Sequence, residues 1–157
     1  MWRSAIRAVV LAGAAVATYA LVVLPYRANL DLEQIRRRTL SAEAVDASTA
    51  APVARTNLND LARIEVAERL NPSWYLLYGS NCEILGRLAD ANAVYSRALL
   101  IDQRPEIYFK RGLVMLQLGR MDAAVSDLAT AARFNPNVIY DLDGDLRSRV
   151  SAAAALR

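Results

Sequence analysis

The sequence predicts an all-α protein in which one membrane-spanning helix precedes a short helical solenoid. Two observations lead to this prediction. An uninterrupted apolar run occupies residues 8–26, and a pattern of helix, glycine-centred turn and helix recurs after 33 residues in the second half of the chain. Self-similarity at that period is typical of repeat proteins, in which each helical unit buries its apolar face against the next.

The apolar run has the length and the flanking residues of a transmembrane helix. Its 19 residues contain no charged side chain. As a helix they extend about 28 Å, and the hydrocarbon core of a bilayer is about 30 Å thick. Trp2 and Tyr26 stand near its two ends, where interfacial aromatic side chains are common. We therefore expect residues 8–26 to anchor the chain in a lipid bilayer, after a cytoplasmic stub at residues 1–7.

A cleaved signal peptide is the competing interpretation of the same run. A basic start and the small-residue site Thr18-Tyr19-Ala20 are features that such peptides share. The apolar run continues through residues 21–24, beyond that site, which favours an uncleaved anchor. Cleavage would instead release a secreted or periplasmic assembly factor.

Basic residues on both sides of the run bear on its orientation. Arg3 and Arg7 precede the run, whereas Arg27 and residues 36–38 follow it. Because so short an N-terminal tail usually stays in the cytoplasm, we expect a single pass through a bacterial inner membrane and a periplasmic C-terminal domain. The composition of the chain, which is rich in arginine and alanine, suggests that the protein comes from a bacterium.

Small residues recur on one side of the predicted anchor. Gly13, Ala17 and Ala20 fall at helical spacing, and such a face lets a second transmembrane helix approach closely. An alanine-rich segment also produces this spacing by chance, so the two interpretations stay open.

Residues 27–56 are predicted to connect the anchor to the solenoid. Leu32 and Ile35 have helical spacing, which predicts a short juxtamembrane helix over residues 27–38. Residues 39–56 are rich in alanine, serine and threonine and contain Pro52, which together predict a linker.

A further helix is expected at residues 57–70, with Asn57 or Asn59 as its N-cap. Pro72 sets its end, because the residue before a proline avoids the α region.

The repeats lie in residues 72–138. Leu-Gly-Arg-Leu at residues 85–88 corresponds to Leu-Gly-Arg-Met at residues 118–121, and each glycine is expected to form the left-handed turn that ends a first helix. The 33-residue shift also superposes four pairs of identical residues. They are Tyr75 and Tyr108, Gly79 and Gly112, Ala91 and Ala124, and Ala98 and Ala131. Gly79 against Ala91, and Gly112 against Ala124, would let the two helices of each unit cross closely.

At these positions the sequence resembles the tetratricopeptide repeat (TPR) family. The family pattern is met in the first unit by Tyr75, Gly79, Ala91, Tyr95 and Ala98, and in the second by Tyr108, Gly112, Ala124, Leu128, Ala131 and Pro136. Arg111 stands where the family has leucine and is the main departure. The resemblance implies solenoid helices over residues 57–138, with the helix at 57–70 as the second half of a degraded upstream repeat. Residues 139–157 would then form a capping helix, with Asp145 as its N-cap.

The composition argues against catalysis and against nucleic-acid binding. The chain has no histidine and one cysteine, Cys82, so it lacks the common proton shuttle and any thiolate metal cluster. The formal net charge is only +3, and no basic stripe is present. We expect no enzyme activity, no cofactor or metal, no nucleic-acid partner and no small-molecule substrate.

The expected function is that of an adaptor or accessory subunit within a membrane or envelope complex. By the resemblance, the first helices of the repeats line a groove suited to an apolar helix or extended segment of another protein. The candidate groove residues are Leu77, Phe109 and Leu113, with Glu83, Glu106 and Lys110 at the rim. As an alternative, the helix at 57–70 or the C-terminal helix could fill this groove from within the chain.

Overall fold

The computed structural model describes residues 2–156. They form a long N-terminal rod, three helix pairs and a C-terminal helix, and the second half of the rod is also the first helix of the first pair. The rod consists of α1 (Trp2–Thr18), a π-helical segment (Tyr19–Val23) and α2 (Leu24–Glu43). The remaining elements are α3 (Ala47–Glu68), α4 (Pro72–Ile84), α5 (Leu88–Ala98), α6 (Pro105–Gln117), α7 (Met121–Phe134), a 3-10 helix (Pro136–Asp141) and α8 (Gly144–Ala155). Met1, Arg157 and the side chains of residues 3–5, 7 and 8 lie outside the described part of the chain.

Residues 9–22 of the rod are all exposed, and most of them are apolar. Leu11 and Leu21, for example, are 69% and 77% exposed. The part of the chain that the structure describes contains one helix long and apolar enough to cross a bilayer, and it lies in this rod. An N-terminal signal sequence has the same character. The exposed apolar rod is therefore consistent with the predicted transmembrane span at residues 8–26 and is equally consistent with a signal sequence.

The predicted linker is wrong, because residues 47–56 form the first half of α3. α2 continues to Glu43, so only residues 44–46 separate the two helices. Asp46 caps α3, since its carboxylate accepts hydrogen bonds from the amides of Ser48 and Thr49 at 3.0 and 3.2 Å. Pro52 lies inside the helix, where it removes one backbone hydrogen bond.

The second helix of each pair buries the same four positions, spaced i, i+4, i+7 and i+8. In α3 they are Ala50, Ala54, Asn57 and Leu58; in α5, Ala91, Tyr95, Ala98 and Leu99; and in α7, Ala124, Leu128, Ala131 and Ala132. α3 packs against both α2 and α4. The upstream repeat is therefore complete, with α2 as its first helix, and the apolar rod continues directly into the solenoid.

A buried polar cluster joins the first pair to the second. Asn57 lies in the middle of α3 rather than at a helix start, so the predicted N-cap is wrong. Its side-chain amide donates to Thr39 Oγ1 at 3.2 Å and to Asn81 Oδ1 at 3.0 Å. Asn81 Nδ2 also donates to Thr39 Oγ1 at 2.9 Å. Because leaving such a buried group unpaired costs about 1–3 kcal/mol, the cluster fixes the register of α2, α3 and α4.

The glycine turns between paired helices are confirmed. Gly86 and Gly119 have φ of +68° and +73°. In the first turn the amide of Arg87 donates to the Cys82 carbonyl at 2.8 Å, and in the second the amide of Arg120 makes the equivalent bond to Met115 at 2.8 Å. These bonds are the Schellman pattern, which satisfies helix-end carbonyls and needs a left-handed residue.

At both close helix crossings the nearest neighbour of the glycine is the residue four positions after the expected alanine, Tyr95 in the first repeat and Leu128 in the second. A Cβ placed on Gly112 would lie 2.8 Å from Leu128 Cγ and 3.3 Å from the Ala124 carbonyl oxygen. A Cβ on Gly79 would overlap the buried ring of Tyr95, rather than meet Ala91. Both glycines are needed for space, as predicted.

The C-terminal helix covers the open end of the solenoid. Val150 of α8 is fully buried and belongs to one apolar cluster with Leu128 and Ala132 of α7. α8 begins at Gly144 with Asp143 at the N-cap position, so the prediction of Asp145 as the N-cap is wrong. A terminal repeat needs such a cover because no further unit buries its apolar face.

Candidate functional site

A cleft of about 320 Å³ opens on the face formed by the first helices of the three pairs. Its walls come from all three units. The lining residues are Arg36 of α2, Ser73, Leu76 and Leu77 of α4, Glu106 of α6 and Arg104 just before α6. The floor is leucine and the edges are charged, so the cleft offers an apolar contact surrounded by polar groups. We call this surface the groove cleft.

Two of the predicted groove residues, Leu77 and Glu106, line this cleft. Leu77 is only 8% exposed, because it belongs to the core cluster that includes Leu32 and Ile35 of α2. The expected exposed apolar strip is therefore wrong at Leu77, since that side chain belongs to the core shared by α2, α3 and α4. The half-buried Leu76 offers more apolar surface there.

Phe109 and Leu113 contact the other end of the solenoid. Both are half-buried and pack against the cluster of Leu128, Ala132 and Val150. The C-terminal cap is part of that cluster, so it takes up some of the surface that these two side chains would offer a partner. The C-terminal cap, expected as one candidate, takes part in this packing, and Leu58 of the helix at 57–70, the other candidate, shares the core cluster of Leu77.

Lys110 and Glu83 form an ion network rather than a solvated rim. Lys110 Nζ lies 3.3 Å from Glu43 Oε1 and 4.0 Å from Glu83 Oε1. The hydroxyl of Tyr95 donates a short hydrogen bond to the Glu83 carboxylate. Glu43 ends α2 and was missed because the sequence predicted a linker there. The network links the first helices of all three pairs.

Burial raises the pKa of the Glu83 carboxyl above its ordinary value, although the Tyr95 hydrogen bond and the Lys110 charge oppose the shift. A raised carboxyl pKa in the folded state contributes stability at low pH that is lost as pH rises through the folded pKa.

The parent protein is expected to lose stability as the pH rises from the ordinary carboxyl pKa through the raised pKa of Glu83. We expect Glu83→Gln to reduce this loss. The amide oxygen can still accept from Tyr95 but carries no buried charge. Thermal unfolding of both proteins across that pH range measures the effect. Parallel melting curves at all pH values would show that Glu83 does not titrate abnormally.

Arg111 is a partly exposed residue of α6 whose side chain is held by polar contacts with the two neighbouring helices. Its guanidinium donates to both carboxylate oxygens of Asp127, at 2.6 and 2.9 Å, and to Ser96 Oγ at 3.1 Å. The two charged side chains are 19% and 9% exposed. This pair joins α5, α6 and α7 at the position where the family has leucine.

The candidate membrane-packing face is exposed. Gly13, Ala17 and Ala20 are all solvent-exposed, and nothing lies within 4 Å of a Cβ placed on Gly13. Ala20 lies in the π-helical segment, whose wider turn alters the angular spacing from Ala17. A role for this face in helix packing stays a prediction.

Comparison with known proteins identifies the fold. No family model matches the chain, and no curated protein sequence matches it. TTC0263, described as a thermophilic TPR protein of Thermus thermophilus, superposes with a TM-score of 0.65 at 22% identity, covering 89% of this chain and 69% of the other. A T3SS complex from Aeromonas hydrophila gives 0.52 at 20% identity, covering 78% and 75% of the two chains.

The third neighbour is a complex. PcrH bound to the chaperone binding region of PopB has a TM-score of 0.50 at 19% identity, and the match covers 77% of this chain and 94% of that one. The neighbours confirm the all-α, TPR-type fold predicted from the repeats. They are TPR-type helical proteins, and at least one of them is solved with a segment of another protein.

Proposed function

We propose that this TPR-type solenoid is a membrane-anchored adaptor that holds another protein at the bacterial inner membrane, as an accessory subunit of a membrane or envelope complex. The observation that carries the proposal is the groove cleft, which lies on a solenoid whose first helix is continuous with an exposed apolar rod. A partner bound there would be held near the bilayer surface.

The cleft suits a short segment with one or two apolar side chains. Leu76 and Leu77 provide a small apolar floor, and Arg36, Arg104 and Glu106 provide charges at its edges. Helices and extended segments bind such grooves by inserting apolar anchors while polar groups fix their orientation. The PcrH complex with a region of PopB supports this mode by likeness of fold.

Site-specific photo-crosslinking in cells tests the groove cleft. A photoreactive phenylalanine at Leu76 is expected to capture a discrete partner, because that side chain is half-buried at the cleft. The matched control is the same group at the exposed Ala93 of α5, a second helix whose residues do not line the cleft. Adducts of equal yield and mass at both positions, or none at Leu76, would contradict binding in the cleft.

The second candidate function is a secreted or periplasmic TPR assembly factor released by signal cleavage. The exposed apolar rod favours it as much as the anchor. Intact mass of the native protein separates the two, since an anchor retains residues 1–26. Alkaline phosphatase fused to the C-terminus is expected to be active if the solenoid lies outside the cytoplasm.

A further inference from the structure

The second helix of the first pair runs back towards the predicted membrane boundary. α3 is antiparallel to α2, with Asn57 beside Thr39 and Asp60 bonded to Arg38 at 2.7 Å. The same register, continued along α3, places Leu70 level with residues 26–28. A cleft of about 590 Å³ between the two helices shows this proximity directly, because Ala20, Leu24 and Pro25 line it together with Val66 and Ala67.

The later turns between pairs lie on the same edge of the solenoid. Neighbouring helices alternate in direction, so every turn from a second helix to the next first helix points to the side from which the rod arrives. These turns are residues 69–71 and 99–104, and α7 ends on the same side at Phe134. We call them the proximal edge. The turns at 44–46, 85–87 and 118–120 form the opposite, distal edge.

Each proximal turn carries or adjoins an exposed apolar side chain. Leu70, Leu100 and Phe134 are 74%, 87% and 65% exposed. Large apolar side chains at the tip of a turn gain nothing in water. At the distal turns Val45 and Met121 are less exposed, at 48% and 42%, so the proximal edge is the more apolar contact surface. Val66, also exposed, extends the same surface along the end of α3.

Charge also differs between the two edges. Arginines and acidic groups are balanced at the proximal turns, where the acidic groups are Asp102, paired with Arg104 at 2.6 Å, the buried Glu68 and the exposed Glu65 and Glu106. The exposed arginines are Arg69, Arg97, Arg104 and Arg133. Acidic groups dominate at the distal turns, where Glu43, Asp46, Asp90 and Asp122 accompany Arg87 and Arg120. An anionic lipid surface therefore repels the proximal edge less than the distal edge, and the exposed apolar side chains of the proximal edge can enter its headgroup layer.

We propose that the proximal edge contacts lipid headgroups, so that the solenoid rests on the bilayer from which its first helix emerges. The inference rests on the proposed membrane anchor. A headgroup layer extends about 5–7 Å beyond the hydrocarbon on each side, and Leu70 is level with the end of the apolar run at Tyr26. The contact fixes the solenoid relative to the bilayer, and Arg104 of this edge also lines the groove cleft, so a partner bound in the cleft would lie beside the bilayer.

Fluorescence quenching in nanodiscs tests the contact on the full chain. Single labels are attached to Gln103→Cys, on the proximal edge, and to Gln117→Cys, at the far end of α6. Both positions are exposed, and they lie about 20 Å apart along the helix axis. Burial raises the pKa of the native Cys82 thiol to about 11, so it stays protonated and unreactive at neutral pH.

The nanodiscs contain phosphatidylethanolamine, phosphatidylglycerol and a phosphatidylcholine spin-labelled at the headgroup. We expect the label at Gln103 to lose most of its fluorescence and the label at Gln117 to lose little. The double variant Leu70→Glu/Leu100→Glu changes only exposed side chains, and it is expected to restore the fluorescence at Gln103 while the melting temperature stays unchanged.

The other outcomes separate this inference from the anchor on which it rests. A chain that does not co-elute with nanodiscs refutes the anchor and the edge contact together. A chain that co-elutes but shows no quenching at Gln103, or equal quenching at both labels, refutes the edge contact alone. Unchanged quenching in the double variant refutes contact through these apolar residues.

Discussion

Gly79→Ala is expected to lower the free energy of unfolding by about 3 kcal/mol, because the added methyl group would overlap the Tyr95 ring. Tyr95 is fully buried and its hydroxyl is bonded to Glu83, so the ring has no free space into which to move. The substitution also improves helix propensity by up to about 1 kcal/mol, which offsets part of the strain. Thermal unfolding of the full chain in detergent, followed by circular dichroism, measures the result.

Two further glycines provide graded controls for this prediction. Gly112→Ala is expected to cost less than Gly79→Ala, because the Leu128 side chain that it meets can change rotamer more easily than a buried ring. Gly144→Ala should leave the melting temperature nearly unchanged, since nothing lies within 4 Å of its added Cβ. Equal melting temperatures for all three variants would contradict the close crossing of α4 and α5.

Arg111→Leu is expected to destabilise the solenoid by about 3–5 kcal/mol, even though leucine is the family residue at this position. The substitution leaves the Asp127 carboxylate buried without its two charge-assisted hydrogen bonds, and it also removes the bond to Ser96. A lone buried carboxylate is costly because the protein interior solvates its charge poorly. Chemical unfolding of the variant against the parent gives the difference.

The double variant Arg111→Leu/Asp127→Ala identifies the cause of that loss. It removes both charges and should recover much of the stability, because an apolar replacement of a buried pair is often close to neutral. Arg87→Ala is the surface control. Its pair with Asp90 is half-exposed at 51% and 52%, so the cost should stay below about 1 kcal/mol. If the single and double variants unfolded alike, the unpaired Asp127 charge would not be the reason for the loss.

The sequence by itself determined those features that depend on neighbouring residues. A run of 19 uncharged residues is apolar whatever surrounds it, and a left-handed turn needs glycine locally, so the exposed rod and the turns at Gly86 and Gly119 could be predicted. The repeat period predicted the fold because each unit must bury the same face. Proline at position 72 likewise set the end of one helix and the start of another.

Only the tertiary structure decided which helix covers which surface. Residues 47–56 have no large apolar period, yet they form a helix because Ala50 and Ala54 pack in the close space between neighbours, where small side chains suffice. Asn57 is polar but buried, and its side-chain NH2 group donates to Thr39 and Asn81 of two other helices.

The same reason explains the candidate site. Leu77 shares its core with α2 and α3, Lys110 pairs with Glu43, and Arg111 replaces a leucine because Asp127 faces it from α7. Each of these contacts joins residues at least 16 positions apart in the chain. No local pattern encodes such pairings, since they depend on how whole helices align once their apolar faces have packed.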